Sequence, residues 1–149
     1  MPTQTRNPVA NAPAAAPSAP GPALEVAVRS LRSPTDRGRH DNQDNYLVVD
    51  GQGQARFLFD QREMRRQLPD WPPGHWRLAV LDGMGGHSHG REATEKTVEG
   101  LLELPATTDL GQLSSRLDAL HGRLYREFQA AGLETGCTLI VRSEERRVG

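Results

Sequence analysis

The feature that most constrains the fold is a short apolar stretch that runs directly into an aspartate and a cluster of glycines. Residues 77–81 have the compact, mostly apolar composition of a buried β-strand, and the run 82–86 (Asp-Gly-Met-Gly-Gly) follows without a spacer. Glycines at this density allow a sharp bend and a close approach of the backbone to a ligand. The pattern predicts a strand that holds the carboxylate of Asp82 at the edge of a sheet, on a rigid element. The plainer alternative is an ordinary tight turn that begins at Asp82.

Hydrophobic periodicity predicts an α+β layout for the rest of the chain. Residues 60–76 contain three prolines and no clear period, and a short helix is possible at their start. A first helix is expected from about 90 to 104, ended by Pro105. We expect the first strands to pair as antiparallel hairpins, with a turn at Asp50-Gly51, and the helices to pack on one sheet face. Strands are predicted over 24–29, 46–49, 55–59, 77–81 and 137–141.

A second helix has the clearest signal in the chain. Its large apolar residues recur at spacings of three and four, which is typical of one buried helical face. They are Leu110, Leu113, Leu117, Leu120, Leu124 and Phe128. Asp109 is a plausible N-cap with Gln112 three residues later, and Gly132 stands where a C-terminal glycine belongs.

Length and composition exclude several classes of protein. A chain of 149 residues leaves room for one domain, and a net charge of −1 gives no general attraction to nucleic acid or to an anionic membrane. The apolar runs 78–81 and 139–141 are too short to span a bilayer. Cys137 is the only cysteine, which excludes an intrachain disulfide and a thiol-rich metal site and predicts an inert thiol in the core. These features predict a cytoplasmic protein.

The chain divides into three compositional zones. Residues 1–23 contain six prolines and seven alanines and are expected to be a disordered tail, because prolines interrupt every apolar stretch that a secretory signal would need. Residues 24–142 carry the ordered domain. Residues 143–149 (Ser-Glu-Glu-Arg-Arg-Val-Gly) are charged, show no period and are interpreted as a fragment end.

A second polar loop could carry chemistry. Residues 37–46 hold five side chains with oxygen donors in a row, from Asp41 to Asn45, directly before a predicted strand. Such donors suit a hard cation, and Arg39 suits the paired oxygens of a phosphate. The alternative is a solvated loop with Asx turns. The spacing of an EF-hand calcium loop is absent.

Together, these motifs resemble those of the metal-dependent protein serine/threonine phosphatases of the PPM (2C-type) family. The first family motif has an arginine, two spacers and Asn-acid-Asp, and reads here Arg-His-Asp-Asn-Gln-Asp at 39–44. The second, a strand ending in Asp-Gly-x-Gly-Gly-His, lies at 80–87. A weaker third match is Gly-Cys-Thr-Leu at 136–139. The resemblance covers about residues 24–142 and implies the N-terminal part of a four-layer α-β-β-α sandwich.

The resemblance also implies a site and a reaction. Asp82 would bridge two divalent ions, Mn²⁺ or Mg²⁺, with the Gly83 carbonyl completing one shell and Asp44 placing the second ion or its waters. Gln43 would act weakly, through a metal-bound water, and Arg39 would bind the substrate phosphate bidentately. A bridging water would attack phosphorus in line, without a phosphoenzyme. The implied partner is a phosphorylated protein, the target of a serine/threonine kinase, with no nucleic acid and no membrane span.

Three departures from the family pattern shape these expectations. Gln43 replaces the usual acid, and Met84 stands where many eukaryotic members have a histidine, which indicates a bacterial-type enzyme and leaves the proton donor unassigned. After Asp82 the only aspartates are Asp109 and Asp118, and neither lies in a metal-binding motif of the family. We therefore expect a truncated domain that is inactive on its own.

Other features favour simpler interpretations. The alternative function is a non-catalytic pseudophosphatase or interaction module on the same fold. His87 and His89 form an H-x-H pair that lacks a third ligand nearby, so solvated loop histidines are the simpler interpretation. Trp71 and Trp76 are expected to cover an edge of the core.

Overall fold

The computed structural model describes residues 24–31, 42–84 and 87–146, with only the backbone described for 87–88. The predicted tail 1–23 and the stretch of polar loop that includes Arg39 lie outside the described residues. So do the glycines at 85–86 and the last three residues, 147–149. What is described is an α+β fold in which one antiparallel sheet of five strands is accompanied by two helices.

The sheet has the order β3-β2-β1-β4-β5, and every neighbouring pair is antiparallel. Both helices lie between β4 and β5 in the chain. The strands are β1 (Asn45–Val49), β2 (Gln54–Phe59), β3 (Arg62–Gln67), β4 (His75–Met84) and β5 (Gly136–Glu145). The helices are α1 (His87–Glu103) and α2 (Leu110–Ala130). The order of several strands, two helices and a final strand agrees with the predicted α+β layout, although the set of strands before α1 differs from the predicted one.

The core lies between the sheet and the helices. Leu47 and Leu81 have no exposed surface, and they belong to one buried cluster with Leu101 of α1 and Leu120 of α2. Because side chains alternate along a strand, the neighbours of these residues project to the other side of the sheet. We call the two sides the helix-covered face and the open face, the latter marked by exposed Val80 and its partner in β5, Ile140.

The ends of α2 confirm the predicted caps. The Asp109 carboxylate accepts a hydrogen bond from the backbone N–H of Gln112 at 2.8 Å. Gly132 has a φ of +68°, a left-handed conformation that glycine adopts without strain, and it follows the C-cap Ala131. The helix therefore begins and ends where its sequence predicts.

A buried arginine caps the C-terminal end of α1. Arg77 of β4 has no exposed surface, and its guanidinium donates hydrogen bonds to the carbonyls of Leu101, Leu104 and Pro105 at 2.6–2.8 Å. These carbonyls lie at the negative end of the helix, where a cation is favoured. Burial, with a smaller contribution from the charge of Arg116, lowers the pKa of Arg77 to about 10, so the group stays charged at neutral pH.

Several expected elements differ in the structure. Residues 24–29 form no strand, although Val26 and Val28 are half-buried and alternate with exposed neighbours. The possible helix after residue 60 is wrong, because Arg62–Gln67 pairs with β2 as a strand. The connecting residues Asp60 and Gln61 adopt left-handed φ values of 48° and 62°, which makes the hairpin tight.

The strands that flank the helices are longer than predicted. β4 starts at His75 and continues through the expected bend as far as Met84. β5 extends to Glu145, so Ser143–Glu145, interpreted from sequence as part of a charged end, is paired with β4. Trp71 and Cys137 pack against the core as partly buried residues. None of the described helices has the length and apolarity that crossing a membrane requires.

Candidate functional site

Strand register brings the two predicted carboxylates together. Asn45 of β1 lies opposite Leu81 of β4, and continuing this antiparallel register by one residue places Asp44 opposite Asp82. Both aspartates are exposed, while Leu81 is buried on the helix-covered face, so the carboxylates lie on the open face. Residues that are 38 positions apart in sequence thus become neighbours at one end of the sheet.

The third motif, Gly-Cys-Thr-Leu at 136–139, also places a residue beside Asp82. Thr138 of β5 lies directly opposite Asp82 in the β4–β5 register and is exposed on the open face. Asp44, Asp82 and Thr138 therefore form a row across three neighbouring chain segments. The row collects one polar residue from each motif that the sequence analysis singled out.

The neighbouring carboxylate of Asp82 influences the ionisation of Asp44. The pKa of Asp44 is raised, first by loss of water around its carboxyl group, then by the negative charge of Asp82 and a hydrogen bond between the two side chains. Two carboxylates in contact disfavour simultaneous ionisation, and each gains when a proton or a cation lies between them. The pair is consequently a place where positive charge is needed.

A cleft of about 300 Å³ opens beside the two carboxylates. One wall is formed by residues at the ends of β1 and β4, and the other by the irregular segment 28–31. The lining residues are Val28, Arg29, Ser30, Leu31, Asp44, Asn45, Tyr46, Val80, Leu81 and Asp82. The cleft combines carboxylates, one cation and apolar side chains, the mixture typical of a site for a polar ligand with an apolar part.

Asn42 holds the loop that carries Asp44. Its side-chain amide donates to the hydroxyl of Ser30 at 2.7 Å, and its carbonyl oxygen accepts from the backbone N–H of Asp44 at 3.2 Å. Its own backbone N–H donates to the side chain of Gln61, in the β2–β3 turn, at 3.4 Å. This asparagine thus joins three separate segments around the site, a structural reason for its place beside Asp44.

Gln43 is packed into the junction between β4 and α1. The hydroxyl of Thr94, which has no exposed surface, donates to the Gln43 carbonyl at 3.1 Å. A Cβ on Gly90 would lie 2.5 Å from the Gln43 side-chain oxygen, and a Cβ on Gly83 would lie 2.7 Å from the Gln43 backbone oxygen. Gly83 is therefore required for the approach of the Gln43 backbone, and the Gln43 side chain lies against Gly90 of α1.

Asn45, one of the oxygen-bearing residues of the polar loop, has a structural role that its sequence does not indicate. Its buried amide donates to the carbonyl of Leu58 at 2.9 Å, while its side-chain oxygen accepts from the Leu58 N–H at 2.9 Å and from the Tyr46 N–H at 2.8 Å. The side chain thereby replaces backbone pairing between β1 and β2 at their ends. Thr94 and Gly90 were missed as well, because their partners lie about 50 residues away and leave no local pattern.

The remaining predicted candidates are not all part of the described site. Arg39 lies outside the described residues, as does the side chain of His87. His87 and His89, expected in a solvated loop, instead lie in the first turn of α1, and the Nδ1 atom of His89 is 4.0 Å from a carboxylate oxygen of Glu92. Among the side chains that the structure describes, no three or more His, Cys, Asp or Glu residues are grouped so that they could hold a metal ion.

Comparison with known proteins gives no relative for this chain. No family model matches it, and no curated protein and no solved structure is significantly similar to it.

Proposed function

We propose that this chain carries metal-binding residues of a phosphoester hydrolase site of the PPM type, which acts on phosphoserine and phosphothreonine in proteins. The observation that carries the proposal is that strand register makes Asp44 and Asp82, which come from two separate motifs, neighbours beside one cleft. The family resemblance of those motifs gives the reaction class.

The donor set fits a hard divalent cation. Carboxylate and carbonyl oxygens are the ligands that Mg²⁺ and Mn²⁺ prefer, and such ions are often held by one or two carboxylates while keeping several waters. A cation beside Asp44 and Asp82 would also neutralise the repulsion between them, which after loss of water contributes to the raised pKa of Asp44. The described part of the chain supplies two carboxylates, so a two-ion centre needs further ligands from outside it.

Each residue of the proposed site has a separate task. Asp82, at the rigid end of β4, and Asp44 would hold the cation, with the Gly83 carbonyl as a further ligand. Gln43 holds the loop against α1 through its contacts with Thr94 and Gly90. Arg39 binds the phosphate. When bound, the metal supplies an acidified water and a counter-charge for the phosphate oxygens.

Calorimetric titration with Mn²⁺ tests the proposal on the chain as it stands. We expect the native chain to bind Mn²⁺ and both Asp82→Asn and Asp44→Asn to weaken binding by at least tenfold, because an amide cannot supply the lost charge. Asp118→Asn is the matched control, since Asp118 is an exposed aspartate on α2. Equal Mn²⁺ affinity in all four proteins would overturn the metal centre.

Hydrolysis distinguishes the catalytic proposal from the alternative of a binding module. A form of the protein that holds a complete two-ion centre should release phosphate from a phosphoserine peptide, and Asp82→Asn should lower kcat by several orders of magnitude. Arg39→Ala should instead reduce phosphate engagement while leaving Mn²⁺ binding intact. Metal and phosphopeptide binding without turnover would favour the pseudophosphatase.

A further inference from the structure

The wall of the cleft opposite the carboxylates contains a basic residue that the proposed reaction does not yet use. Arg29 is exposed and lines the same cleft as Asp44 and Asp82. Within residues 24–31, 42–84 and 87–146, no ion pair includes Arg29. Its charge is therefore available to a ligand that enters the cleft.

Hydrogen bonds hold the segment on both sides of Arg29. The guanidinium of Arg56 donates to the carbonyl of Val26 at 3.2 Å, three residues before Arg29. Ser30, the next residue, accepts the 2.7 Å hydrogen bond from Asn42, which also fixes the loop of Asp44. Arg29 and Asp44 are thus positioned by the same asparagine, although residues 24–31 form no regular secondary structure.

The charges around the cleft are arranged for an anion next to a bound cation. Two neighbouring carboxylates favour a cation beside them, and a cation held there would keep positions open for a further ligand. A phosphate monoester that binds those positions keeps oxygens free to accept hydrogen bonds from the other wall. A guanidinium is suited to this role because it remains charged and donates two parallel hydrogen bonds to a phosphate.

The apolar side chains beside Arg29 indicate that the phosphate arrives on a larger molecule. Leu31 is 63% exposed and Val80 is 59% exposed, and both line the cleft. Apolar side chains that flank a phosphate site can contact the residues on either side of a phosphorylated serine. Inorganic phosphate would leave these contacts unused.

We propose that Arg29 is a substrate-binding residue that holds the phosphate of a phosphoserine or phosphothreonine peptide lying in this cleft, with apolar residues next to the phosphorylated one. The inference rests on the proposed function and adds a second guanidinium to the one assigned to Arg39. It names a side chain outside the three motifs as a determinant of substrate affinity.

A binding assay with a peptide that cannot be hydrolysed tests this assignment. The probe is a fluorescent peptide that carries a phosphonate analogue of phosphoserine between leucine and valine, and its anisotropy is measured in Mn²⁺. The same peptide with an unmodified serine shows how much binding depends on the phosphonate. Competition by inorganic phosphate shows whether the peptide adds affinity.

We expect Arg29→Ala to weaken binding of the phosphonate peptide roughly ten- to hundredfold, as loss of charge-assisted hydrogen bonds predicts. Arg29→Lys should retain an intermediate affinity, since it keeps the charge without the paired donors. Arg126→Ala, which removes an exposed arginine from α2, is the matched control and should bind like the native chain. Arg29→Ala should leave the weak binding of the serine peptide and the affinity for Mn²⁺ unchanged.

The outcomes separate this inference from the proposed function. Unchanged phosphonate binding in Arg29→Ala, equal losses for both peptides, or no phosphonate binding by a native chain that holds Mn²⁺ would each overturn the role of Arg29. A native chain that binds no Mn²⁺ overturns the metal centre itself. Inorganic phosphate that competes as well as the peptide would overturn the peptide as substrate class.

Discussion

The two faces of the sheet are stabilised by different interactions. On the helix-covered face, side chains such as Leu47, Leu81 and Leu101 have no exposed surface and form one apolar cluster. On the open face, Val80 and Ile140 remain largely exposed, and the segment 24–31 is attached by hydrogen bonds from Asn42 and Arg56. Apolar burial holds the fold, while a few directional hydrogen bonds position the candidate site.

This difference predicts where the chain tolerates change. Core substitutions on the helix-covered face should lower the free energy of unfolding. They should affect ligand binding at the site only through that loss of stability. Substitutions at the exposed positions of the open face, such as Val80, should change ligand binding at little cost in stability. The junction of Gln43, Gly83 and Gly90 belongs to both, because it lies between a strand and a helix and supports Asp44.

The largest expected effect comes from a matched pair of truncations on the two faces. Leu101→Ala removes a fully buried side chain and should lower the free energy of unfolding by about 2–5 kcal/mol, the range for such core deletions. Val80→Ala removes a side chain that is 59% exposed and should change stability by no more than about 0.5 kcal/mol. Urea denaturation of both variants measures the contrast. Similar losses would show that the open face is covered in solution.

An alanine at Gly83 tests the junction between the two faces. Its Cβ would lie 2.5 Å from the carbonyl oxygen of Gly90 and 2.7 Å from that of Gln43, so backbone must move. We expect a loss of about 1–3 kcal/mol, as for other overpacked sites, together with weaker Mn²⁺ binding because Gln43 displaces its neighbour Asp44.

Gly122→Ala is the control for this substitution. Gly122 lies within α2, and its Cβ would meet the Arg126 side chain at an ordinary 3.5 Å. Alanine has the higher helix propensity, so this variant should gain up to about 1 kcal/mol. A Gly83→Ala protein as stable as the native chain would contradict the close packing described for the junction.

Sequence periodicity identified the elements that bury an apolar face. β1, β2, β4, α1, α2 and β5 were all predicted, because each carries a pattern of apolar residues at strand or helix spacing. β3 was missed because all six of its residues are exposed and four are charged, so backbone pairing with β2 rather than burial makes it a strand. Residues 24–29 show strand alternation without a strand: Val26 and Val28 are half-buried, but the segment pairs with none of the five strands.

The candidate site was predictable only in part. Asp44 and Asp82 stand out because each is placed next to an apolar strand, and register then makes them neighbours. The supporting contacts were not predictable from spacing. Thr94 reaches Gln43 across 51 residues, and Arg29 shares the cleft only because Asn42 ties Ser30 to the same loop. Tertiary hydrogen bonds of this kind leave no periodic signal in the sequence.

The smallest expected effect concerns how much the neighbouring carboxylates Asp44 and Asp82 destabilise the folded chain. The pKa of Asp44 is raised above its ordinary 3.8 by loss of water and by Asp82, so the folded chain holds this proton more tightly than the unfolded chain. The free energy of unfolding should therefore fall as pH rises from 3.8 through the raised pKa, and stay reduced at neutral pH. Asp44→Asn removes this repulsion. Because the group is exposed and screened, the gain at pH 7 without metal should be below about 1 kcal/mol.

Mn²⁺ should reverse which of the two proteins, the native chain or Asp44→Asn, is the more stable. A cation between Asp44 and Asp82 turns their repulsion into binding, and a ligand that binds the folded state raises its stability. Thermal denaturation at pH 7 should therefore find Asp44→Asn slightly more stable than the native chain in a chelator, and less stable in excess Mn²⁺. If the native chain is the more stable protein in the chelator as well, the two carboxylates do not repel each other. The open face would then have no carboxylate repulsion for a cation to relieve.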